Sequence, residues 1–269
     1  MKLLRNVTLA AVVMMQTNSA FADVTSGIKM LEAGNVKGSV EVFQQAYDEG
    51  DADGAFYIGR LFELGLGTDK DMVRAAQLFG AAAIKGSAKA QNRLGLMHLN
   101  GQFVLEDYER AFELICKAAE TGDADGQFNC GMLYKDGKGV AADEAKAVAY
   151  WQKAAAQAHV ASINLLAQAY KNGAGVNADA EHAAKLFANT AAAGNPLALF
   201  ELAKAYTHGA GVKKDPVKAY SFANLAATRS MEGAAELRDA LRAQLSVEQI
   251  KEAQAFSRGW KAKPVQFVQ

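Results

Sequence analysis

The amino-acid sequence predicts an all-α fold, a solenoid of stacked helix hairpins, and three observations carry that expectation. A pattern of two short amphipathic helices around a glycine-containing turn, seen most fully from Gly126 to Ala158, recurs at a fixed step of 36 residues. Gly65, Gly101, Gly137, Gly173 and Gly209 fall in register, as do Asp71, Asp107, Asp143, Asp179 and Asp215, and Ala75, Ala111, Ala147, Ala183 and Ala219. Columns of small residues run beside them, Gly59/Gly95/Gly131/Ala167/Ala203 and Ala83/Ala119/Ala155/Ala191/Ala227, where helix backbones approach closely. A period of this length marks a stacked array, because one hairpin cannot cover its own apolar face and needs a neighbour.

Composition agrees with an ordered array. The chain has 269 residues, 51% of them hydrophobic, and three prolines with 22% charged residues argue against long disordered segments. Basic and acidic residues balance at 29 each, so no electrostatic footprint for a nucleic acid is present.

Residues 1–22 read as a signal peptide, outside the fold. Lys2 and Arg5 form a positive start, Val7 to Met15 is a mostly apolar run, and Ala20-Phe21-Ala22 supplies the small-x-small pattern, with cleavage between Ala22 and Asp23. The run is too short to span a bilayer comfortably, and no cysteine near it offers a lipid anchor. Cleavage removes two positive charges, leaving 27 against 29 and a mature net of −2. No second apolar span follows. The expectation is a periplasmic or secreted protein whose mature chain has no transmembrane anchor.

The elements then follow in order. Residues 23–50 read as an N-terminal capping helix pair, Val24 to Ala33 and Val36 to Glu49, whose Phe43, Ala46 and Gly50 are in register with Phe79, Ala82 and Gly86. Residues 51–230 hold five repeats beginning near Asp51, Ser87, Asp123, His159 and Asn195, four of which are good N-caps; Pro196 suits a first helical position. In each repeat helix A runs about thirteen residues to the glycine column, where a left-handed residue closes the helix. Helix B begins after the aspartate column, and Pro216 behind Asp215 marks these aspartates as structural N-caps, not catalytic acids. The column Phe79/Ile115/Trp151/Phe187/Ala223 reads as core between hairpins. After Ser230 the register fades. A helix from Glu232 to Gln244 and a second opened by the capping box Ser246-Val-Glu-Gln249, running to Arg258 and stopped by Gly259, form a C-terminal cap over residues 231–260. Residues 261–269 read as an irregular, frayed tail, with Trp260 folded onto the cap.

The run Cys130-Gly131, Tyr134, Gly137-Lys138-Gly139-Val140, Asp143, Lys146-Ala147 and Ala154-Ala155 resembles the Sel1-like repeat, a branch of the tetratricopeptide-like solenoids. The resemblance covers about Asp51 to Ser230. It implies a right-handed α–α superhelix whose A helices line a concave groove, and it departs at Phe103, which stands where the other units have a second turn glycine, and at Ala158, which replaces a terminal glycine. If the Phe103 position requires a positive φ, that loop is expected to take another path.

On that implied groove the variable A-helix positions are candidates for binding: Phe56, Tyr57, Arg60, Asn92, Arg93, Phe128, Asn129, Met132, Asn164, Gln168, Phe200 and Lys204. Aromatic, amide and basic groups alternate along them, offering anchors and main-chain partners to an extended peptide. Cys116 and Cys130 lie almost equidistant from the turn at Gly122-Asp123, which places them side by side in an antiparallel pair; a disulfide is predicted, with two buried free thiols as the alternative. Some Sel1-like families bridge the same two helices nearer the turn.

Catalytic signals are sparse. Ser26-Gly-Ile-Lys29 has the Ser-x-x-Lys spacing of penicillin-recognising enzymes, yet Ser-Asp-Asn and Lys-Thr-Gly are both missing. His98, His159, His182 and His208 show no ligand spacing, and the Gly-x-Gly pairs follow helices, so neither a metal nor a cofactor is expected. The sequence therefore reads as a non-enzymatic protein-protein interaction scaffold of the cell envelope, which the resemblance links to envelope signalling or polysaccharide production. The alternatives are a secreted effector binding host proteins and a β-lactam or cell-wall hydrolase.

Overall fold

The computed structural model describes residues 23–267, so the expected signal peptide lies outside the described residues. Within them the chain forms fourteen α-helices and no strand. The first hairpin is α1 (Val24–Glu32) and α2 (Val36–Asp48). Five further hairpins follow: α3 (Asp53–Leu64) with α4 (Met72–Ile84), α5 (Ala88–Asn100) with α6 (Tyr108–Glu120), α7 (Ala124–Asp136) with α8 (Glu144–Ala155), α9 (Val160–Asn172) with α10 (Ala180–Ala192), and α11 (Pro196–His208) with α12 (Pro216–Ala227). The chain closes with α13 (Ala234–Arg242) and α14 (Val247–Gly259). Each helix from α1 to α12 packs on the next one in sequence, and α14 lies against α12.

The five A–B turns share one construction. Gly65, Gly101, Gly137, Gly173 and Gly209 sit at φ between 61° and 75° and end their helices. The N–H of each column aspartate then returns to the carbonyl of the aromatic column, as Asp143 does to Tyr134 at 2.8 Å and Asp71 to Phe62 at 3.0 Å. The aspartate side chain accepts from the N–H three residues on, at 2.8 to 3.0 Å, which satisfies one orphan donor at about 1 kcal/mol per cap. A cation from the first turn of helix B covers the same aromatic ring in three units, Arg74 over Phe62, Lys146 over Tyr134 and Lys218 over Tyr206.

Between hairpins the large column, Phe79, Ile115, Trp151 and Phe187, is buried, and the small column faces it. A Cβ at Gly131 would stand 2.5 Å from Trp151 Nε1, so the glycine is what lets α7 lie on the indole.

Several expectations are corrected. Phe103 does not divert its loop: it takes φ 63°, the left-handed value of the glycines at its position in other units. Ala158 and Ser230, in register with Gly50, Gly86, Gly122 and Gly194, are also left-handed, at 61° and 56°. A side chain at such a position costs on the order of 1–2 kcal/mol, which the packing of the rest of the turn outweighs. Helix α3 begins at Asp53, its boundary residue Ala52 provides no side-chain cap, and Asp51 accepts instead from the Asp53 N–H at 2.9 Å. His159 caps α9 through Nδ1, which accepts from the Ser162 N–H at 3.2 Å. The first C-terminal helix starts at Ala234, because left-handed Ser230 and Gly233 hold a turn before it. Gly259 does not stop α14 but is its last residue; the chain leaves the helix at Trp260.

The tail is pinned, not frayed. Trp260 lies under the Arg229 guanidinium, 4.7 Å away, and beside Gly194, not on the C-terminal helices. The Lys263 N–H donates to the Ala192 carbonyl at 2.8 Å, and the Asn189 amide both donates to the Gln266 carbonyl and accepts from its N–H, at 2.9 Å each. The segment therefore runs back along α10, a B helix, and leaves the A helices uncovered.

Candidate functional site: a groove across the A helices

A groove of about 530 Å³ crosses α3, α5 and α7 and reaches the start of α9. Successive turns of each A helix present one residue toward it, so α5 alone contributes Lys89, Asn92, Arg93 and Leu96. From Lys89 to Leu96 the helix rises about 10 Å, enough for one extended chain lying across the helices.

Phe56 and Phe128 are the aromatic part of the lining. Phe56 meets the Tyr57 ring edge-on at 5.2 Å and Phe79 at 5.6 Å; Phe128 lies 5.0 Å from the His159 ring. Between them Asn129 Nδ2 donates to Asn92 Oδ1 at 2.9 Å. That bond leaves Asn92 Nδ2 and Asn129 Oδ1 with no hydrogen bond among the described residues. Asn92 is 8% exposed, and its Nδ2 is not among the buried polar atoms without a partner, so this donor reaches solvent.

The two ends differ in charge. At the C-terminal end of the A helices Glu63, nearly buried, is held by both Arg60 and Arg93, the latter donating through Nε at 2.8 Å. Two cations on one carboxylate leave a net positive charge. At the N-terminal end Asp53 takes Lys89 and the Ser87 hydroxyl, the latter at 2.6 Å, while Asp123 and Asp125 lie beyond. Burial pushes the Asp123 carboxyl above the usual aspartate value, and neighbouring Asp125 adds to the rise against the bond from the Gly126 N–H. Burial opposes the Lys89 ammonium, but the bond and charge of Asp53 outweigh it and raise the group. His159 accepts at Nδ1, so its proton sits on Nε2, 3.2 Å from Asp125 Oδ1.

Two devices hold this lining still. The structure joins Cys116 of α6 to Cys130 of α7, with Cα atoms 5.0 Å apart, and the closed loop contains Asp123, Phe128 and Asn129. Trp151 of α8 donates from Nε1 to the Phe128 carbonyl at 3.3 Å.

Of the twelve groove candidates, Phe56, Arg60, Asn92, Arg93, Phe128 and Asn129 converge here. The others do not. Tyr57 stacks on Phe43 at 5.1 Å, and Met132 packs against the buried cluster around Trp151. Asn164 is buried and accepts from Thr190 Oγ1 at 2.6 Å. Gln168 lines a separate, smaller hollow beside Trp151. Phe200 packs into the core with Lys204 over its ring, and Lys204 together with Lys171 holds Glu201. There burial alone would raise the Glu201 carboxyl, but the bonds from Lys171 and Lys204 hold it below the usual glutamate value.

Sequence reasoning missed Lys89, Asp123, Asp125 and His159. The signal was one turn earlier on the same helices: Asp53, Lys89 and Asp125 form a column, and Asp123 and His159 precede it as caps. Of the earlier catalytic candidates, Ser26 and Lys29 are exposed on α1 and line no part of the groove. His98 is half-buried, with Nδ1 3.0 Å from the Leu105 carbonyl. No group of three or more potential metal ligands exists among the described residues, and no helix there is long and apolar enough to cross a membrane.

Comparison with known families places five consecutive Sel1 repeats on residues 52–87, 88–123, 124–159, 160–195 and 196–231. The chain belongs to the Sel1 repeat family. Among solved structures, a Sel1 repeat protein from Oxalobacter formigenes superimposes with a TM-score of 0.73 at 24% identity, covering 90% of this chain and 98% of that one. A protective antigen of uropathogenic Escherichia coli strains, displaying an SLR fold, matches at 0.58 and 26% identity over 90% of this chain and 62% of its own length. Among curated proteins, none matches. The Sel1 repeats thus establish an all-α, right-handed solenoid of a kind that generally mediates protein–protein contact.

Proposed function

We propose that this Sel1 repeat protein is a non-enzymatic scaffold of the cell envelope that holds an extended segment of a partner polypeptide in the groove of α3, α5, α7 and α9. One observation carries the reading: Asn92 Nδ2 and Asn129 Oδ1, a donor and an acceptor without partners, stand side by side between Phe56 and Phe128. A peptide main chain offers the matching carbonyl and N–H, and the two phenylalanines supply apolar anchors. The signal-peptide pattern before Asp23 supports export, and the Cys116–Cys130 bridge suits an oxidising compartment.

The test is proximity labelling in the native cell, followed by binding of overlapping peptides from the captured partner to the purified protein. Asn92→Ala with Asn129→Ala is expected to weaken the best peptide about 10-fold, and Arg60→Glu with Arg93→Glu to alter which peptides bind. Unchanged binding in both double variants removes the groove from the function. N-terminal sequencing of protein from periplasm and culture medium checks the Ala22/Asp23 cleavage and separates an adaptor from a secreted effector.

A further inference from the structure

The seat that holds the C-terminal tail is made of groups the repeat does not supply elsewhere. At steps of 36 residues Asn189 is matched by Ala81, Lys117, Lys153 and Leu225, none of which carries a donor and an acceptor together. Asn189 has both and spends both on the main chain of one residue, Gln266, at 2.9 Å each. Arg229, matched by Lys85, Thr121, Gln157 and Ala193, donates to the Leu225 carbonyl at 2.8 Å and lies 4.7 Å from the Trp260 ring. Gly194 leaves that ring its room, since a Cβ there would stand 3.2 Å from Trp260 Cη2. The Ala192 carbonyl, orphaned at the end of α10, takes the Lys263 N–H at 2.8 Å.

The segment on this seat is held as a bound peptide is held. Recognition runs through the main chain of Lys263 and Gln266 and through two side-chain anchors, Trp260 and Val265, both packed against the neighbouring buried cluster. The other six residues of 260–267 are exposed, and none of the eight is buried, so the segment can leave without opening the core. Pro264 fixes its own φ and drives Lys263 away from helical conformation, which readies the segment for an extended seat before it docks.

We propose that this seat is a second peptide-binding site, closed in cis by the chain's own tail, and that it takes from a partner protein an extended segment with the same pattern: an aromatic residue followed five positions later by an aliphatic one. The main-chain bonds from Asn189 and to Ala192 tolerate any residue between the anchors, while the shelf of Gly194 and Arg229 selects a flat aromatic ring. Tethered beside its seat, the tail competes at an effective concentration on the order of millimolar. A partner therefore gains the site when it is itself concentrated there by another contact or carries better anchors. The seat shares no residue with the groove of the A helices.

Fluorescence anisotropy with a labelled synthetic peptide of residues 258–267 tests this on the full chain. The parent, its seat filled, is expected to bind the peptide weakly. Lys263→Pro with Val265→Asp takes one main-chain donor and one anchor from the tail and touches no buried residue; this chain is expected to bind about 100-fold more tightly with its helical circular dichroism unchanged. Adding Asn189→Ala is expected to weaken that binding about 10-fold, and a peptide with Trp260→Ala to bind at least 10-fold more weakly. Equal binding by the parent and the loosened chain, or no loss from Asn189→Ala, overturns the inference. In the parent itself the Lys263 and Gln266 amides are expected to exchange with deuterium far faster than those of α9 and α10, through release of the tail alone. Exchange only by global unfolding means that the tail never leaves its seat, and overturns the inference as well. A parent that dimerises at micromolar concentration by trading tails gives the seat to a second copy and overturns the partner assignment. Each of these outcomes leaves the test of the A-helix groove standing.

Discussion

The A-helix face built by α3, α5 and α7 and the one built by α9 and α11 belong to the same repeat at the same spacing, yet the first carries a groove of about 530 Å³ and the second a hollow of about 170 Å³ beside Lys171, Glu201 and Lys204. In the C-terminal part the variable positions are spent on the protein itself. Asn164 bonds to Thr190, Phe200 packs into the core, and Glu201 is neutralised by Lys171 and Lys204. In the N-terminal part the equivalent positions are left partly unpaired: Asn92 and Asn129 each keep a polar atom without a partner among the described residues, and beside them burial raises the Asp123 carboxyl above its usual value. A solenoid thus makes a binding surface by withholding internal partners in some units and supplying them in others.

The largest test of that contrast is Trp151→Ala. It removes the buried indole beneath α7 and the donor to the Phe128 carbonyl, and is expected to cost about 3–5 kcal/mol in urea unfolding. Because the indole supports the groove lining, peptide affinity should fall even where the variant is still folded; an unchanged affinity would mean that the lining holds itself.

Next is the bridge. With Cys116 and Cys130 14 positions apart in sequence, the chain-entropy account gives roughly 3 kcal/mol from closing the loop, lost on reduction. Urea unfolding with and without dithiothreitol measures it, and thiol titration of the unreduced, denatured protein must find none. Two titratable thiols would return the pair to buried free cysteines.

Smaller, and opposite in sign, is Phe103→Gly. Glycine takes φ 63° without strain, so the turn should gain about 1 kcal/mol in stability, and Ala158→Gly should behave likewise. A loss at Phe103 would show that the exposed ring contributes packing that outweighs its backbone.

The smallest effect separates the two regions by pH. The folded carboxyl of Asp123 lies above its unfolded value, so the group is least unfavourable when protonated. Its penalty appears as pH rises through the aspartate range and is complete above the folded value. Glu201 lies below its unfolded value, so its contribution is full above the ordinary glutamate value and is lost as pH falls through the lowered one. Acidification should therefore tighten the N-terminal region slightly and loosen the C-terminal one. Carboxyl titrations by NMR, with hydrogen exchange at two pH values, read both signs; Asp123 titrating below the ordinary aspartate value, or Glu201 above the ordinary glutamate value, would reverse the assignment.

The repeat, its hairpins and the family were legible before any coordinates, because period, glycine and aspartate columns act locally: each sets the conformation of its own turn within a few residues. Local rules also explain where that reading slipped. A non-glycine residue at a left-handed position looked like a reason for a different loop, but hydrogen bonds on both sides of the turn, from Asp107 to His98 and from Gln102 to Met97, hold the path. The tail looked frayed because its partners, Asn189 and Ala192, lie some 70 residues away in sequence.

The chain by itself determined the repeat helices, the turns that join them and their stacking, since those depend on neighbours at one repeat's distance. Which A-helix side chains stay free for a partner was decided only in three dimensions. Asn92 and Asn164 occupy the same column, and what separates them is that Asn164 finds the Thr190 hydroxyl of the adjoining helix while Asn92 meets only Asn129 and open groove. Position in the repeat fixes where a side chain points; the chemistry of the group it meets there fixes whether it has anything left to bind with.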